Sequence, residues 1–262
     1  MGPAAAARAA GVLTEFAGLM RDYGVDRYRA VATGIIREAM DRDRFLAHIR
    51  EETGIQIEVI SGEREALLSG RGAVTALGIR RSYLVFDLGG GTTEFLQERG
   101  GMPTPCSISL GAAVLTKRCI RSDPPDKQEL DAISSEIDQR LKEAGIRKGE
   151  HMTVVGTGGT VTALAALIDR VPADDITPEQ LNGRVLAFSQ LETSLEQMKA
   201  LKSEERVARL GLDRGRADVI VAGVLVVMGI LRFMGVRELT VSMSDLLEGL
   251  LIEDRSRVNE DI

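Results

Sequence analysis

The chain has 262 residues, of which 44% are hydrophobic and 27% charged, and its formal net charge is -6. That is an ordinary globular composition, long enough for one large domain or two smaller ones. The acidic balance argues against general nucleic-acid binding or recruitment to anionic lipid, while leaving room for a local basic pocket that holds a polyanion.

Apolar positions at Val12, Leu13, Phe16, Leu19 and Met20 predict a helix over Pro3–Met20, ended by Gly24. The first residues are Ala-rich but interrupted by Arg8, so no secretory signal is expected. Tyr28–Ala32 and Ile55–Ile60 read as strands, and Arg37–Glu51 and Glu63–Leu77 as helices. Tyr83–Asp87 and Thr92–Gln97 predict a hairpin around a glycine turn, with a third strand at Pro105–Leu110. Helices are expected at Ala112–Ile120 and Lys127–Glu143. Met152–Val155 is a strand, Gly156–Gly159 a loop and Thr160–Ile168 a helix. Thr177–Leu210 reads as helical in pieces, Arg216–Met234 as a long buried helix, Leu239–Ser242 as a strand and Asp245–Ile252 as a helix. The apolar run Val219–Leu231 is too short to span a bilayer. The order is mixed α/β, with a domain boundary expected near residues 70–80. The two cysteines, Cys106 and Cys119, give no disulfide framework and predict a reducing, cytoplasmic setting. His48 and His151 are isolated, so no zinc spacing is present.

Four segments carry residues suited to phosphate chemistry. In Asp87-Leu88-Gly89-Gly90-Gly91-Thr92-Thr93-Glu94, three glycines let backbone N–H groups approach an anion. The flanking Asp87 and Glu94 repel phosphate directly but suit a divalent cation or its waters. Gly156-Thr157-Gly158-Gly159-Thr160 is a second glycine loop, feeding a helix N-terminus. Neither loop fits a P-loop or a dinucleotide fingerprint, and either alone is also compatible with a plain turn. Glu63 and Glu65 lie two apart at a helix start, so one can enter a cleft while the other faces solvent. A carboxylate there can orient and deprotonate water, or serve only the helix dipole. Arg37, at a strand-to-helix turn, suits a bidentate grip on phosphate or a plain surface position.

In this order the segments resemble the Ppx/GppA phosphatase family. The matching strings run from Ala32-Thr33 to Arg37-Glu38-Ala39, then from Thr53-Gly54-Ile55 through Ile60-Ser61-Gly62 to Glu65-Ala66. They continue through Phe86–Glu94, Ser109–Ala112 and Gly156–Thr160, and end with Arg216–Gly223 and Leu239–Ser242. The resemblance implies an actin-like (ASKHA, ribonuclease H-like) two-domain α/β fold with mixed sheets and a central phosphate cleft. Residues 1–75 would form an incomplete first domain, joined by a C-terminal helix at 245–262, and 76–244 the second.

The implied activity is removal of a terminal phosphate from inorganic polyphosphate or guanosine pentaphosphate, with magnesium or another divalent cation. Glu65 falls on the family's catalytic base, with Asp87 as a second catalytic acid, and Asp87 and Glu94 on metal positions. Arg37, Gly89, Gly90, Gly91, Thr92, Gly158, Gly159 and Thr160 fall on phosphate contacts. Family members open with a strand, a phosphate loop and a second strand, so roughly fifty residues are expected to be missing before Met1, and a homodimer is expected to close the unpaired edge. Leu67, Val114, Met243-Ser244-Asp245 with Leu247, and Arg64 depart from the pattern, mostly where arginines are usual. The losses keep a non-catalytic polyphosphate- or guanosine tetraphosphate-binding regulator open as an alternative, beside an actin-like ATPase.

Overall fold

The computed structural model describes residues 3–149 and 151–260. The chain divides into two units, residues 1–62 and 63–262.

The first unit begins with α1 (Pro3–Asp22), then β1 (Val31–Ala32), α2 (Gly34–Glu38), α3 (Arg42–Thr53) and β2 (Glu58–Val59). The expected helix Arg37–Glu51 is two helices, because Ala39 turns extended (ψ 128°) and its N–H donates to Ile36. The strands expected over 28–32 and 55–60 shrink to two residues each. β1 and β2 pair only with each other, in parallel and over two residue pairs, and regular strand persists only where a neighbour takes its hydrogen bonds. Ala10 of α1 packs on Phe45 and Ile49 of α3 to make this unit's core.

The second unit opens with α4 (Gly62–Ala76) and the antiparallel meander β3 (Tyr83–Leu88), β4 (Thr93–Arg99) and β5 (Met102–Ile108). Then come α5 (Ala112–Cys119), α6 (Lys127–Glu143), β6 (Thr153–Thr157) and α7 (Gly159–Asp169). A short 3-10 turn precedes α8 (Pro178–Leu181), β7 (Val185–Ala187), α9 (Phe188–Lys199) and α10 (Ser203–Leu210). The unit closes with α11 (Arg214–Met234), β8 (Glu238–Val241) and α12 (Leu246–Glu260). Residues 261 and 262 of the helix expected over 245–262 lie outside the described residues. The six strands lie in the order β5-β4-β3-β6-β8-β7, with β3, β6 and β8 mutually parallel.

Thr177–Leu210 is helical in pieces, as expected, but one of the segments between the helices is a strand that the sequence pattern did not show. Val185–Ala187 is an edge strand, antiparallel to β8, and Val241 N–H donates to Arg184 carbonyl at 2.8 Å. The free side of β8 offers a ladder, and Leu186 buries its side chain completely there, so tertiary pairing overrides local pattern.

Alternation along β3 sorts its side chains. Leu84, Phe86 and Leu88 join Phe95 in the large core formed with α5, α6, α7, α9 and α11. Tyr83 and Val85 point to the other face, where they meet Leu96 and Ala73 and Val74 of α4. Asp87 continues this second series. α11 is apolar and long enough to cross a membrane, but 78% of its most apolar stretch is buried inside the unit, as suits a core helix.

Candidate active site

The register of the β3–β4 hairpin decides where its acids go. Asp87 is paired directly with Glu94, so both carboxylates leave the same face of the sheet with Cβ atoms about 5 Å apart. That face is covered by α4, which carries Glu65 and, one turn on, Ser69. Ser69 Oγ donates to Asp87 Oδ2 at 2.6 Å, and Ser107 Oγ of β5 donates to Glu94 Oε1 at 2.7 Å. Glu94 is 3% exposed and Glu65 8%, whereas Asp87 keeps part of its surface open.

Burial and like charge act together on this group. Desolvation pushes Asp87 up to about 6, against the Ser69 hydrogen bond, and the charges of Asp245 and Glu65 add to the rise. Glu94 is pushed up to about 7, again chiefly by burial, opposed by the Ser107 bond and raised further by Glu65 and Asp87. Asp245, just before α12, is also raised by burial. Sequence reasoning had not singled out Asp245 as a site residue. It reaches the acids because α4 and α12 touch backbone to backbone: a methyl group on Gly72 would lie 2.2 Å from Asp245 carbonyl oxygen, and one on Gly249 2.1 Å from Leu68 carbonyl oxygen. The only signal in the sequence was an acid following the last strand.

The first glycine loop is held from behind. Ala112, Ala113 and Val114, the first turn of α5, donate their N–H groups to the carbonyls of Gly89 and Gly90. Gly89 N–H donates to Thr92 carbonyl at 3.0 Å. Among the described residues the N–H groups of Gly90 and Gly91 donate to no protein acceptor, which leaves them for an anion. Gly111 permits this approach, since a Cβ there would stand 2.3 Å from Gly90 carbonyl oxygen. Thr92 is buried and its hydroxyl bonds Glu94.

The second loop meets the first because β3 and β6 are parallel neighbours, with Asp87 opposite Thr157. Gly158 has φ +95°, and a Cβ on it would lie 2.6 Å from Leu88 carbonyl oxygen and 3.0 Å from Asp87 Oδ1. Gly159 opens α7, whose first N–H groups have no side-chain cap. Thr160 is completely buried. Its hydroxyl faces Gly223 of α11 and has no partner among the described residues, so only its backbone N–H is available to a ligand.

Arg37 lies in the first unit, on α2, and donates to Ile60 carbonyl at 3.3 Å. Of the departures from the family pattern, Arg64 pairs with Glu253 of α12 and Leu67 packs on the α4 side of the sheet. Val114 and Leu247 are exposed.

Oxygen donors suit a hard cation such as magnesium. Burial and neighbouring acids dominate the shifts of Asp87 and Glu94, and among the described residues no three candidate ligands converge on one point. One or two carboxylates, with water and phosphate completing the shell, is the way magnesium is usually held, so Asp87 and Glu94 fit it on those terms.

The profile of the Ppx/GppA phosphatase family matches residues 1–257. The chain belongs to the Ppx/GppA phosphatase family. As a Ppx/GppA protein it is a phosphohydrolase, with an α/β fold built on a mixed sheet. Exopolyphosphatase 2 of Mycobacterium tuberculosis is 35% identical over 95% of this chain and 82% of its own length. The Aquifex aeolicus Ppx/GppA structure is 30% identical, with a TM-score of 0.86 over 99% of this chain and 84% of that one. An exopolyphosphatase from Cytophaga hutchinsonii, 24% identical, superposes with a TM-score of 0.85 over 96% of this chain and 82% of its own, and bears on the fold alone.

Proposed function

We propose that this chain removes the terminal phosphate from inorganic polyphosphate or from guanosine pentaphosphate. The observation that carries the reading is the acid group Glu65, Asp87 and Glu94, directly beside a glycine loop with unengaged N–H groups. The related exopolyphosphatase 2 supports a phosphoanhydride substrate.

Glu65 acts as general base, orienting a water in line with the terminal anhydride bond and taking its proton. The water oxygen bonds to phosphorus as the anhydride P–O bond breaks. The leaving oxygen keeps the electron pair, and the products are orthophosphate and a chain shorter by one phosphate. The N–H groups of Gly90, Gly91 and the α7 start stabilise charge on the equatorial oxygens. Arg37 grips a further phosphate. Asp87 and Glu94 would hold magnesium or a similar ion, which when bound neutralises phosphate charge.

Phosphate release from long-chain polyphosphate tests the assignment. Glu65→Gln should lower kcat by about 10²–10⁴-fold with the fold intact by circular dichroism. Unchanged release would remove Glu65 as the base.

A further inference from the structure

Asp245 takes no part in the reaction above, yet it stands beside the acids that do. Its placement begins with the pairing of β8 and β6: Ser242 N–H donates to the carbonyl of Gly156, where the second glycine loop starts, at 2.9 Å. Ser242 Oγ donates to Ser244 carbonyl at 2.9 Å and accepts from Ser244 N–H at 3.1 Å, which pins the buried turn leading to Asp245. Asp245 then caps α12. Its Oδ1 accepts from Leu247 N–H at 3.1 Å, and its own N–H donates to Glu248 Oε2 at 3.0 Å. Gly72 lets the backbone of α4, the helix that carries Glu65 and Ser69, lie against this cap. The result is a half-buried carboxylate fixed in one place, whose Oδ2 has no hydrogen-bond or ion-pair partner among the described residues.

Capping accounts for Oδ1 but not for the charge. Asparagine and serine cap a helix about as well as aspartate. Here the charge is costly, since burial and Glu248 both disfavour it, and it in turn raises Asp87. Asp87 borders the second loop, with Oδ1 3.0 Å from where a Cβ on Gly158 would stand. A phosphate drawn to the loop N–H groups therefore comes up against Glu65, Asp87, Glu94 and Asp245 together. Leu247, one of the departures noted above, brings no compensating charge to this corner. We propose that Asp245 is a specificity-determining residue of the phosphate site: its fixed charge keeps bare phosphate out of the glycine loops and admits phosphate only together with a divalent cation. It acts through its field and joins no coordination shell. The inference rests on the phosphate reading of the loops and adds the form in which they accept their ligand.

Methylenediphosphonate, a non-hydrolysable analogue of a phosphoanhydride, tests this by calorimetric titration into the whole chain. The titration is run in low-salt buffer at pH 8, once with excess magnesium and once with a chelator. The wild type should bind at least about a hundredfold more tightly with magnesium. Asp245→Asn keeps the cap and loses the charge, so binding without magnesium should tighten about tenfold while binding with magnesium moves by less than about threefold. Asp245→Ser, a second uncharged cap, carries the comparison if the first variant does not fold. Wild-type affinities that are equal with and without magnesium overturn the inference alone. So do variant affinities that do not tighten without magnesium, or that tighten equally under both conditions. Wild-type binding under neither condition overturns the phosphate reading of the loops and the inference together.

Discussion

Asp87 and Glu94 face each other across an antiparallel pair, and the like charge of Asp87 adds to the burden on Glu94. Opposed like charges weaken a hairpin, a cost that the proposed chemistry accounts for. Glu94→Gln keeps the shape and an acceptor for Ser107 while removing one charge. In the presence of a chelator at pH 8 it should raise the melting temperature by about 2–4 °C, the equivalent of ~1 kcal/mol, while phosphate release falls at least tenfold. A calorimetric scan paired with a phosphate assay checks both halves, and a lower melting temperature would mean that the pair is stabilising. The acids flanking the glycines were legible as a pair because strand alternation and a short turn fix their register. The fate of Thr160 was not, because a threonine after a glycine loop reads alike whether its hydroxyl enters a cleft or lies against Gly223.

At the level of elements, the two glycine loops and most helices could be read from apolar runs bounded by glycine. β7 could not: its three residues sit between helices, and only the free side of β8 makes them a strand. Asp245 escaped for a related reason, since the approach of α4 to α12 depends on residues remote in sequence. The capping box of α6 gives a pH-dependent test. Glu129 accepts hydrogen bonds from Ser122 Oγ and from the Asp126, Arg121 and Ser122 N–H groups, which hold its carboxyl down to about 2. A lowered folded-state value means that its stabilisation is present above the ordinary carboxyl value of 4.5 and is lost as pH falls toward 2. Urea midpoints of wild type and Glu129→Gln should therefore differ at pH 6 and converge near pH 2. A difference that persists at the acid end would assign the effect to shape rather than charge. Gly111→Ala tests the seat of the first loop: the added methyl group meets backbone, which cannot swing aside, so a loss of about 1–3 kcal/mol is expected in the same assay.

Across the molecule, the two units differ in what holds them. The first is built around Ala10, Phe45 and Ile49, whereas the second surrounds α11 with buried side chains from five of its six strands and several helices. Local opening should follow that contrast. In native-state hydrogen exchange, amides of α1 and α3 should exchange faster than those of β3, β6 and α11, and equal protection would show that the chain opens only as a whole. The α/β class and the Ppx/GppA family were both readable from the sequence, because the motifs span nearly the whole chain in order. The short β1–β2 pairing was less so, since alternation promises strands longer than two residue pairs can sustain.

The seating of the first loop on α5 has an electronic consequence. The carbonyls that receive the α5 N–H groups are those of Gly89 and Gly90. Through the conjugated peptide bond each belongs to the same planar unit as the following N–H, that of Gly90 and Gly91. Drawing electron density toward the carbonyl oxygen leaves that N–H more positive, as in any chain of polarised hydrogen bonds. At the proposed anion site the helix would therefore act at one remove: two flat peptide groups carry its pull through the loop and present it as stronger proton donors.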